Sequence, residues 1–331
     1  STPATPRSEP DVDRSAPLIP SEIFPFPLDQ FQLEAMDALN QGHSVVVSAP
    51  TGSGKTLIGE YAIHRALAHG QKVFYTTPLK ALSNQKLRDF RDQFGDQNVG
   101  LMTGDLSVNR EASIVVMTTE IFRNMLYAEA DEHDDPLEDV EAVVLDECHY
   151  MNDSQRGTVW EESIIHCPPS VQLVALSATV ANAGQLTDWI ETVHGPTTLV
   201  MSDHRPVPLQ FSFCSAKGLH PLLNEKGTGL HPNCKVWRAP KGHKRKGRSQ
   251  RPPQPEPPPI TFVVAQMAER QMLPAIYFIF SRRGCDKAVR DLGVQCLVSK
   301  QEQARIKARL TAYSNDNPEA VRDGIHADAL L

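Results

Sequence analysis

One short segment of the sequence has the residue types and spacing needed to hold a chain of phosphate groups. Its residues are Ala49, Pro50, Thr51, Gly52, Ser53, Gly54, Lys55 and Thr56. The β-branched run 44–47 precedes the segment and predicts a buried strand, and apolar residues at helical spacing follow it. Between a strand and a helix, Gly52 and Gly54 let backbone N–H groups face phosphate oxygens at the helix N-terminus.

Lys55 and Thr56 supply the charged group and the metal-binding group of this segment. The lysine ammonium can reach the β- and γ-phosphates of a nucleotide, and the threonine hydroxyl can bind Mg²⁺. Ala49 stands where the generic pattern has glycine, at a position that does not face the phosphates. We therefore expect a nucleoside triphosphate–Mg²⁺ site here, rather than a Gly/Ser turn followed by a chance Lys-Thr pair.

A second segment, Asp146-Glu147-Cys148-His149, follows the apolar run 143–145 and brings two carboxylates and an imidazole to one strand end. Asp146 is placed to hold the Mg²⁺ assigned to Thr56, and Glu147 to orient or deprotonate an attacking water. A strand-end Asp-Glu pair alone is structural about as often as it is functional. Behind a phosphate-holding segment, it favours hydrolysis of the triphosphate, with His149 as part of the same catalytic group.

Around these two segments the chain alternates strand patterns with helical patterns, which predicts an α/β fold. Further strand patterns lie at 73–75, 99–102, 114–117, 171–176, around 199, at 209–213 and at 275–280, and later helical patterns lie near 286–292 and 301–313. We expect a P-loop domain with a mostly parallel sheet and helices on both of its faces. The loops at the carboxyl ends of the strands should then form the working edge of the sheet.

Three of these strand-end loops combine Thr, Gly or Pro with a single charged residue. Hydroxyls and backbone N–H groups suit contacts that position a nucleic-acid backbone without reading its sequence. Each tripeptide alone is more often an ordinary loop or helix cap, so the interpretation depends on three of them following successive strands. The candidate nucleic-acid-binding residues are Pro78, Lys80, Thr103, Gly104, Thr119 and Glu120.

Three further residues gain meaning only from their position. Gln32, 17 positions before Ala49, carries the donor and the acceptor needed to read an adenine edge, with helix-start packing as the alternative. Ser177 and Thr179 end the strand pattern 171–176, where their hydroxyls could bond back to the Asp146–His149 loop.

Composition limits the classes of protein that this chain can belong to. The 331 residues predict about two domains. No run approaches the ~18 apolar residues that a membrane span requires, so no membrane contact is expected. The formal net charge of −7 means that nucleic acid must be bound by a local surface. Six scattered cysteines without a C-x-x-C pair indicate a reducing, cytoplasmic compartment.

In their order, the motifs APTGSGKT, TTPLKAL, TGD, TTE, DECH and SAT resemble a superfamily-two DExH-box helicase over nearly all of residues 24–215. The segments 28–32, 156–161 and 204–209 are similar to superkiller-type (Ski-like) RNA helicases of cyanobacterial or plastid type. The segment 275–285 is similar to the opening of that family's second RecA-like domain.

This resemblance implies ATP-dependent, 3′-to-5′ unwinding of RNA, with ATP and Mg²⁺ as cofactors. It implies that Gln32 reads adenine, that Lys55, Asp146 and Glu147 bind and hydrolyse ATP, and that Ser177 and Thr179 couple hydrolysis to strand movement. It also implies that the six strand-end residues line the RNA path. A plastid stroma is the expected location if the source is a photosynthetic eukaryote. Protein partners are left open.

The resemblance and the composition together divide the chain into four parts. We expect a disordered leader at 1–22, a first RecA-like, ATP-binding domain at 23–215, a basic and Pro-rich disordered insertion at 216–259, and the truncated start of a second RecA-like domain at 260–331. The family's later motifs are not found, so we expect an N-terminal fragment that binds ATP and hydrolyses it poorly.

Several features of the chain leave alternatives open. The basic run 241–251 is either a solvated charge run or a tether for RNA phosphates. A metal site at His231, Cys234 and His243 is disfavoured, and the acidic stretch 129–141 is expected to be a solvated loop. For the whole chain, the rival functions are a superfamily-two DNA helicase and a non-catalytic nucleic-acid-binding module.

Overall fold

The computed structural model describes residues 18–127, 136–152, 157–234, 257–293 and 298–316. The chain divides into two compact units, with the boundary between Pro208 and Leu209. The sequence places the end of the first domain at 215. The difference arises because the strand expected near 209–213 lies at Ser212–Ser215 and pairs within the second unit.

An eight-stranded sheet forms the centre of the first unit. Its strands are β1 Ser44–Ser48, β2 Lys72–Thr77, β3 Val99–Met102, β4 Ser107–Val108, β5 Ile114–Thr118, β6 Val140–Leu145, β7 Gln172–Ser177 and β8 Thr197–Met201. They lie in the order β4-β3-β5-β2-β6-β7-β1-β8, and every neighbouring pair is parallel except β3 and β4. The central strands are buried along their whole length, which explains their almost continuous apolar runs. The predicted mostly parallel sheet is confirmed.

Seven helices flank this sheet in the described part of the first unit. They are α1 Pro20–Ile23, α2 Gln30–Asn40, α3 Thr56–His69, α4 Lys80–Phe94, α5 Thr119–Tyr127, α6 Gly157–His166 and α7 Ala183–Val193. One buried cluster takes its helical side chains from α2, α3 and α4, and a second takes them from α5, α6 and α7. Helices therefore cover both faces of the sheet, as the alternating sequence pattern predicts.

Part of the segment predicted as a disordered leader, 1–22, has a defined structure. Leu18 packs against the first cluster, and α1 begins at Pro20, where a proline suits the first turn of a helix. Residues 1–17 lie outside the described residues.

Trp160 lies in the segment 156–161 that supports the family resemblance, and its role in the fold is packing. It lies on α6, is only 1% exposed and belongs to the second cluster. We expect Trp160→Ala to lower the free energy of unfolding by about 3–5 kcal/mol, because a large cavity would remain. Equilibrium urea unfolding of the 331-residue chain measures the effect. Ile165→Ala, at a position of the same helix that is 50% exposed, serves as the control. It should cost about 0.5 kcal/mol or less, and equal costs for the two variants would contradict the packing role.

The second unit contains an antiparallel hairpin and three helices among its described residues. The hairpin consists of β9 Ser212–Ser215 and β10 Gly218–Pro221, and the helices are α8 Ile260–Glu269, α9 Arg282–Leu292 and α10 Lys300–Asp316. The helices expected near 286–292 and 301–313 correspond to α9 and α10. The strand β10 lies inside the insertion 216–259, which the sequence predicts to be disordered. The first part of this insertion is therefore ordered. Residues 235–256, with His243 and the basic run, lie outside the described residues.

The strand expected at 275–280 is not formed. Phe278 is 80% exposed, and none of the described residues pairs with this run as a neighbouring strand. An apolar run forms a strand only where a neighbour accepts its backbone hydrogen bonds, which a sequence pattern alone does not reveal. No helix in the described ranges has the length and apolar character that crossing a membrane requires.

Candidate nucleotide and nucleic-acid site

Parallel pairing brings the predicted site residues to one edge of the sheet. The register pairs Ser48 with Ser177 at the ends of β1 and β7, and Thr76 with Leu145 near the ends of β2 and β6. Both chemically active segments therefore leave the sheet at its carboxyl edge, one after β1 and the other after β6. This edge is the usual position of ligand sites in parallel α/β sheets.

The phosphate-holding segment has the backbone conformation that its glycines predict. Gly52 and Gly54 have φ angles of 84° and 85°, which favour glycine, and α3 begins at Thr56. Within this loop the hydroxyl Oγ of Ser53 is buried and has no hydrogen-bond partner. A loop of this kind at a helix N-terminus, with an orphaned hydroxyl, fits the phosphates of a nucleotide.

Lys55 lies in the field of both predicted catalytic carboxylates. Its Nζ donates hydrogen bonds to the carbonyl oxygens of Ala49 at 2.7 Å and Pro50 at 3.0 Å. Burial lowers the pKa of Lys55, while the negative charges of Glu147 and Asp146 raise it. The lysine therefore shares one electrostatic environment with residues more than 90 positions away in the sequence.

Asp146 is held by two hydrogen bonds. Its Oδ2 accepts from the hydroxyl of Tyr75 at 2.8 Å, and its Oδ1 accepts from the backbone N–H of Glu147 at 2.9 Å. Glu147 has a φ of 55°, in the left-handed region that is uncommon for residues other than glycine. Strain of this kind costs about 1–3 kcal/mol and clusters at functional sites. The acidic segment thus has a fixed Asp and a strained Glu at adjacent positions.

His149 faces the strand end that carries Ser177 and Thr179. Its Nδ1 accepts a hydrogen bond from the backbone N–H of Ala178 at 3.3 Å and lies 3.3 Å from Oε2 of Glu147. A ring nitrogen accepts only without a proton and donates only with one. The imidazole can therefore bond to Ala178 or donate to Glu147, but the same nitrogen cannot do both at once.

Ser177 reaches the acidic segment through a neighbouring thiol. Its Oγ donates to the carbonyl oxygen of Ala178 at 2.8 Å. Burial raises the pKa of the Cys148 thiol to about 12, and a hydrogen bond with Ser177 opposes that rise. Thr179 is exposed. The contacts between the two loops thus involve Cys148, His149 and a backbone N–H, in addition to the serine hydroxyl that the sequence singles out.

Gln32 lies against the phosphate-holding loop. It is 4% exposed, and its Nε2 donates to the carbonyl oxygen of Gly54 at 3.1 Å. Its Oε1 accepts from the backbone N–H of Asp29 at 2.9 Å, as part of the capping box of α2. Each end of the amide keeps one further hydrogen-bonding capacity, which is what reading an adenine edge requires.

The contact between Gln32 and the loop can be tested at Gly54. A Cβ at Gly54 would lie 2.6 Å from Gln32 Nε2, whereas a Cβ at Gly52 would meet no atom within 4 Å. Both glycines have a positive φ, so Gly52→Ala should cost only the strain, about 1–2 kcal/mol. We expect Gly54→Ala to cost about 0.5–1.5 kcal/mol more in urea unfolding, because the Gln32 amide must move and lose its hydrogen bond to Gly54. Gln32→Ala should remove that excess. Equal costs for the two alanine variants would contradict the contact.

The loops predicted to bind nucleic acid differ in what they expose. Lys80 pairs with Asp105, and a Cβ at Gly104 would lie 3.8 Å from Lys80 Nζ, so the first two loops are adjacent. Lys80 and Gly104 are exposed. Thr119 is buried, and its hydroxyl donates to the carbonyl oxygen of Thr77 at 3.2 Å.

The three remaining predicted residues have more local surroundings. The Oγ1 of Thr103 accepts from the backbone N–H of Leu106 at 3.2 Å, which closes its own loop. Pro78 is buried, and Glu120 is half-buried in the first turn of α5. Of the six predicted residues, Lys80 and Gly104 are therefore the exposed ones, whereas Pro78 and Thr119 are buried.

Three residues of this edge were not identified from the sequence. Arg205 donates from Nη1 to the carbonyl oxygen of Thr51 at 3.0 Å, and its charge helps to lower the pKa of Lys55. Tyr75 bonds to Asp146, and Lys86 Nζ lies 3.4 Å from Thr56 Oγ1. Arg205 belongs to the segment 204–209 that supports the family resemblance, and this membership could have identified it as a candidate site residue. The sequence has no local signal for the other two.

No group of three or more His, Cys, Asp or Glu side chains suited to a metal ion occurs within the described ranges. This finding gives no support to a metal site at His231 and Cys234. Mg²⁺ is usually held by one or two carboxylates together with substrate phosphates and waters. Asp146 is such a carboxylate, and it follows β6 at the sheet edge where α3 begins with Thr56 after β1.

Comparison with known proteins gives a consistent picture. Residues 29–186 match the family described as DEAD/DEAH box helicase. The chain is 43% identical over 339 residues to the DExH-box ATP-dependent RNA helicase DExH15, chloroplastic, of Arabidopsis thaliana, covering 91% of this chain and 29% of that protein. It is 45% identical over 302 residues to the probable helicase HelY of Mycobacterium tuberculosis, covering 85% and 32%. It is 47% identical over 215 residues to the antiviral helicase SKI2 of Saccharomyces cerevisiae, covering 65% and 16%. The chain thus spans at most 32% of the length of these three relatives.

Proposed function

We propose that this chain supplies the ATP-binding domain of an ATP-dependent RNA helicase. The premise is that residues 29–186 match the DEAD/DEAH box helicase family and that the relatives of the chain include the RNA helicase DExH15 and the helicase SKI2. The observation that carries the proposal is the environment of Lys55. The lysine of a glycine-containing phosphate loop lies in the field of Asp146 and Glu147 at the carboxyl edge of one sheet.

In this proposal, residues 49–56 hold the triphosphate, and Gln32 reads the adenine edge above Gly54. Thr56 and Asp146 hold Mg²⁺, which when bound neutralises charge on the phosphates. Glu147 accepts a proton from the attacking water, since a carboxylate there lies beside the phosphate loop. The catalytic group also includes His149, which changes its contact between Glu147 and Ala178. Ser177 and Thr179 couple ATP hydrolysis to movement of the RNA strand.

The nucleic-acid part of the proposal is RNA bound along the edge of the sheet and unwound in the 3′-to-5′ direction. Lys80 and the backbone at Gly104 contact phosphates, while Pro78, Thr103, Thr119 and Glu120 shape the path. RNA is favoured because the Arabidopsis relative is named as an RNA helicase. A second candidate is DNA, since an exposed lysine and backbone N–H groups bind phosphates that both polymers share.

The extent of the domains and the location of the protein are parts of the same proposal. We propose that the first RecA-like domain begins near 23 and corresponds to the unit that ends at Pro208, rather than at the 215 expected from the sequence. The insertion is proposed to lie within 216–259, and 260–331 to be the start of a second RecA-like domain. The Arabidopsis relative, which is similar over 91% of the chain, is named as chloroplastic. A plastid stroma is therefore proposed for a photosynthetic eukaryotic source, and the cytoplasm otherwise.

Binding of a fluorescent ATP analogue by the 331-residue chain, with and without Mg²⁺, tests the nucleotide part. Competition between RNA and DNA strands of one sequence, followed by fluorescence anisotropy, tests the nucleic-acid part. We expect Mg²⁺-dependent ATP binding and a preference for RNA. Failure to bind ATP in the presence of Mg²⁺ would refute the helicase assignment, whereas tighter binding of DNA would favour the second candidate.

A further inference from the structure

We propose that Lys86, on α4, is a positioning residue that competes with Mg²⁺ for the hydroxyl of Thr56 and so sets the Mg²⁺ concentration at which nucleotide is held. This inference rests on the proposed function of Thr56 and Asp146 as the metal-binding pair. It assigns a role in that site to a lysine whose sequence context gives no such indication.

The geometry places the ammonium of Lys86 directly beside the proposed metal ligand. Its Nζ lies 3.4 Å from Thr56 Oγ1 and is close enough to donate a hydrogen bond to it. The same Nζ lies over two aromatic rings, 5.4 Å from the centroid of Tyr75 and 5.8 Å from that of Phe90. A cation over such ring faces is attracted by their negative charge density. Lys86 is therefore held at Thr56 by three groups.

The aromatic support under Lys86 is rigid. Tyr75 is completely buried, and its ring centroid is 4.9 Å from that of Phe90 in an edge-to-face arrangement. A Cβ at Gly59 would lie only 3.0 Å from Tyr75 Cε2, so α3 packs tightly on the same ring. Tyr75 also donates its hydroxyl hydrogen to Asp146 at 2.8 Å. Side chains of β2 and α4 thus contact both members of the proposed metal-binding pair.

Two cations at one hydroxyl repel each other strongly. A Mg²⁺–oxygen bond is about 2.0–2.1 Å long, so a metal on Thr56 Oγ1 would lie at most about 5.5 Å from the ammonium. Both side chains are half-buried, so water screens the repulsion between charges at this separation only in part. Binding of the metal must therefore be accompanied by withdrawal of Lys86 from Thr56.

An alternative partner for the displaced lysine is available on α3. Glu60 lies one helical turn after Thr56, and the charge of Lys86 opposes the rise that burial causes in the pKa of Glu60. Lys86 can exchange the hydroxyl for this carboxylate, with which its charge already interacts. Because Lys80 begins the same helix about 9 Å away, the exchange acts on the helix that carries the proposed nucleic-acid contact.

The experiment is a titration with Mg²⁺ of fluorescent ATP analogue binding to the 331-residue chain. Lys86→Met keeps the aliphatic stem over the rings and removes the charge. We expect the Mg²⁺ concentration at half-maximal binding to fall by roughly 3- to 10-fold, because the competing cation is gone. Lys86→Gln carries the same expectation if the methionine variant does not fold, as judged by its thermal unfolding.

Arg88→Met is the matched control, since Arg88 is an exposed cation on the same helix. Its Mg²⁺ midpoint should stay within a factor of two of that of the unsubstituted chain. The inference is overturned if the Lys86 variant keeps or raises the midpoint, or if the Arg88 variant lowers it equally. Failure of the unsubstituted chain to bind the analogue at any Mg²⁺ concentration would instead refute the proposed function.

Discussion

Replacement of Lys55 by alanine is expected to weaken binding of ATP–Mg²⁺ to the 331-residue chain by roughly 100-fold or more. The ammonium is half-buried in the phosphate loop, and it is the charged donor placed to bond to the β- and γ-phosphates. A hydrogen bond to a charged group contributes about 1.5–3 kcal/mol, and two such bonds would be lost. Equilibrium titration with a fluorescent ATP analogue measures the effect.

The fold should tolerate this change because, among the described residues, the lysine donates hydrogen bonds to carbonyl oxygens of its own loop, those of Ala49 and Pro50. Lys72→Ala is the control, since Lys72 begins β2 at the opposite end of the sheet and pairs with exposed Glu111. It should bind the analogue like the unsubstituted chain. An unchanged affinity of the folded Lys55 variant would show that phosphates are not bound at this loop.

The pattern of the sequence predicts most elements of the first unit because their signals are local. The run at 44–47 becomes β1, and the alternation that follows it becomes a parallel sheet with helices on both faces. The spacing of apolar residues and the positions of glycines predict the helix or strand that a segment forms, and this local preference does not depend on which particular segment packs against it. For the same reason the helices α9 and α10 of the second unit are predicted from their own residues.

What the sequence does not reveal depends on partners that are distant in the chain. In the sequence, Tyr75 is part of an apolar strand pattern and gives no sign of a polar role. Its hydroxyl reaches Asp146 because β2 pairs with β6. The sequence around Lys86 predicts a surface lysine on a polar helix. Its contact with Thr56 follows only from the position of α4 in the fold. The run at 275–280 has the composition of a strand, yet the described residues provide it with no neighbouring strand. Local patterns specify what a segment can become, and tertiary contacts decide what its side chains do.

Replacement of Glu147 by glutamine is expected to leave ATP–Mg²⁺ affinity within about threefold of that of the unsubstituted chain while lowering turnover by roughly 10²–10⁴-fold. Glutamine has nearly the same shape, so the contacts of Asp146 with Tyr75 and with the backbone N–H of residue 147 should persist. It cannot accept a proton from water, and that step is the one assigned to Glu147. Binding is followed with the fluorescent analogue. Because this chain is expected to hydrolyse ATP slowly, turnover is followed by release of radiolabelled phosphate over hours, with the protein in excess over ATP.

Glu191→Gln on the exposed face of α7 makes the same chemical change away from the sheet edge and should alter neither quantity. Because Glu147 has a positive φ, a loss of binding and turnover together would indicate that the substitution disturbs the strained loop rather than a proton transfer. Turnover equal to that of the unsubstituted chain would show that another group activates the water. A selective loss of turnover, by contrast, would distinguish a nucleotide-hydrolysing domain from a module that only binds nucleic acid, because only the former needs a base at this position.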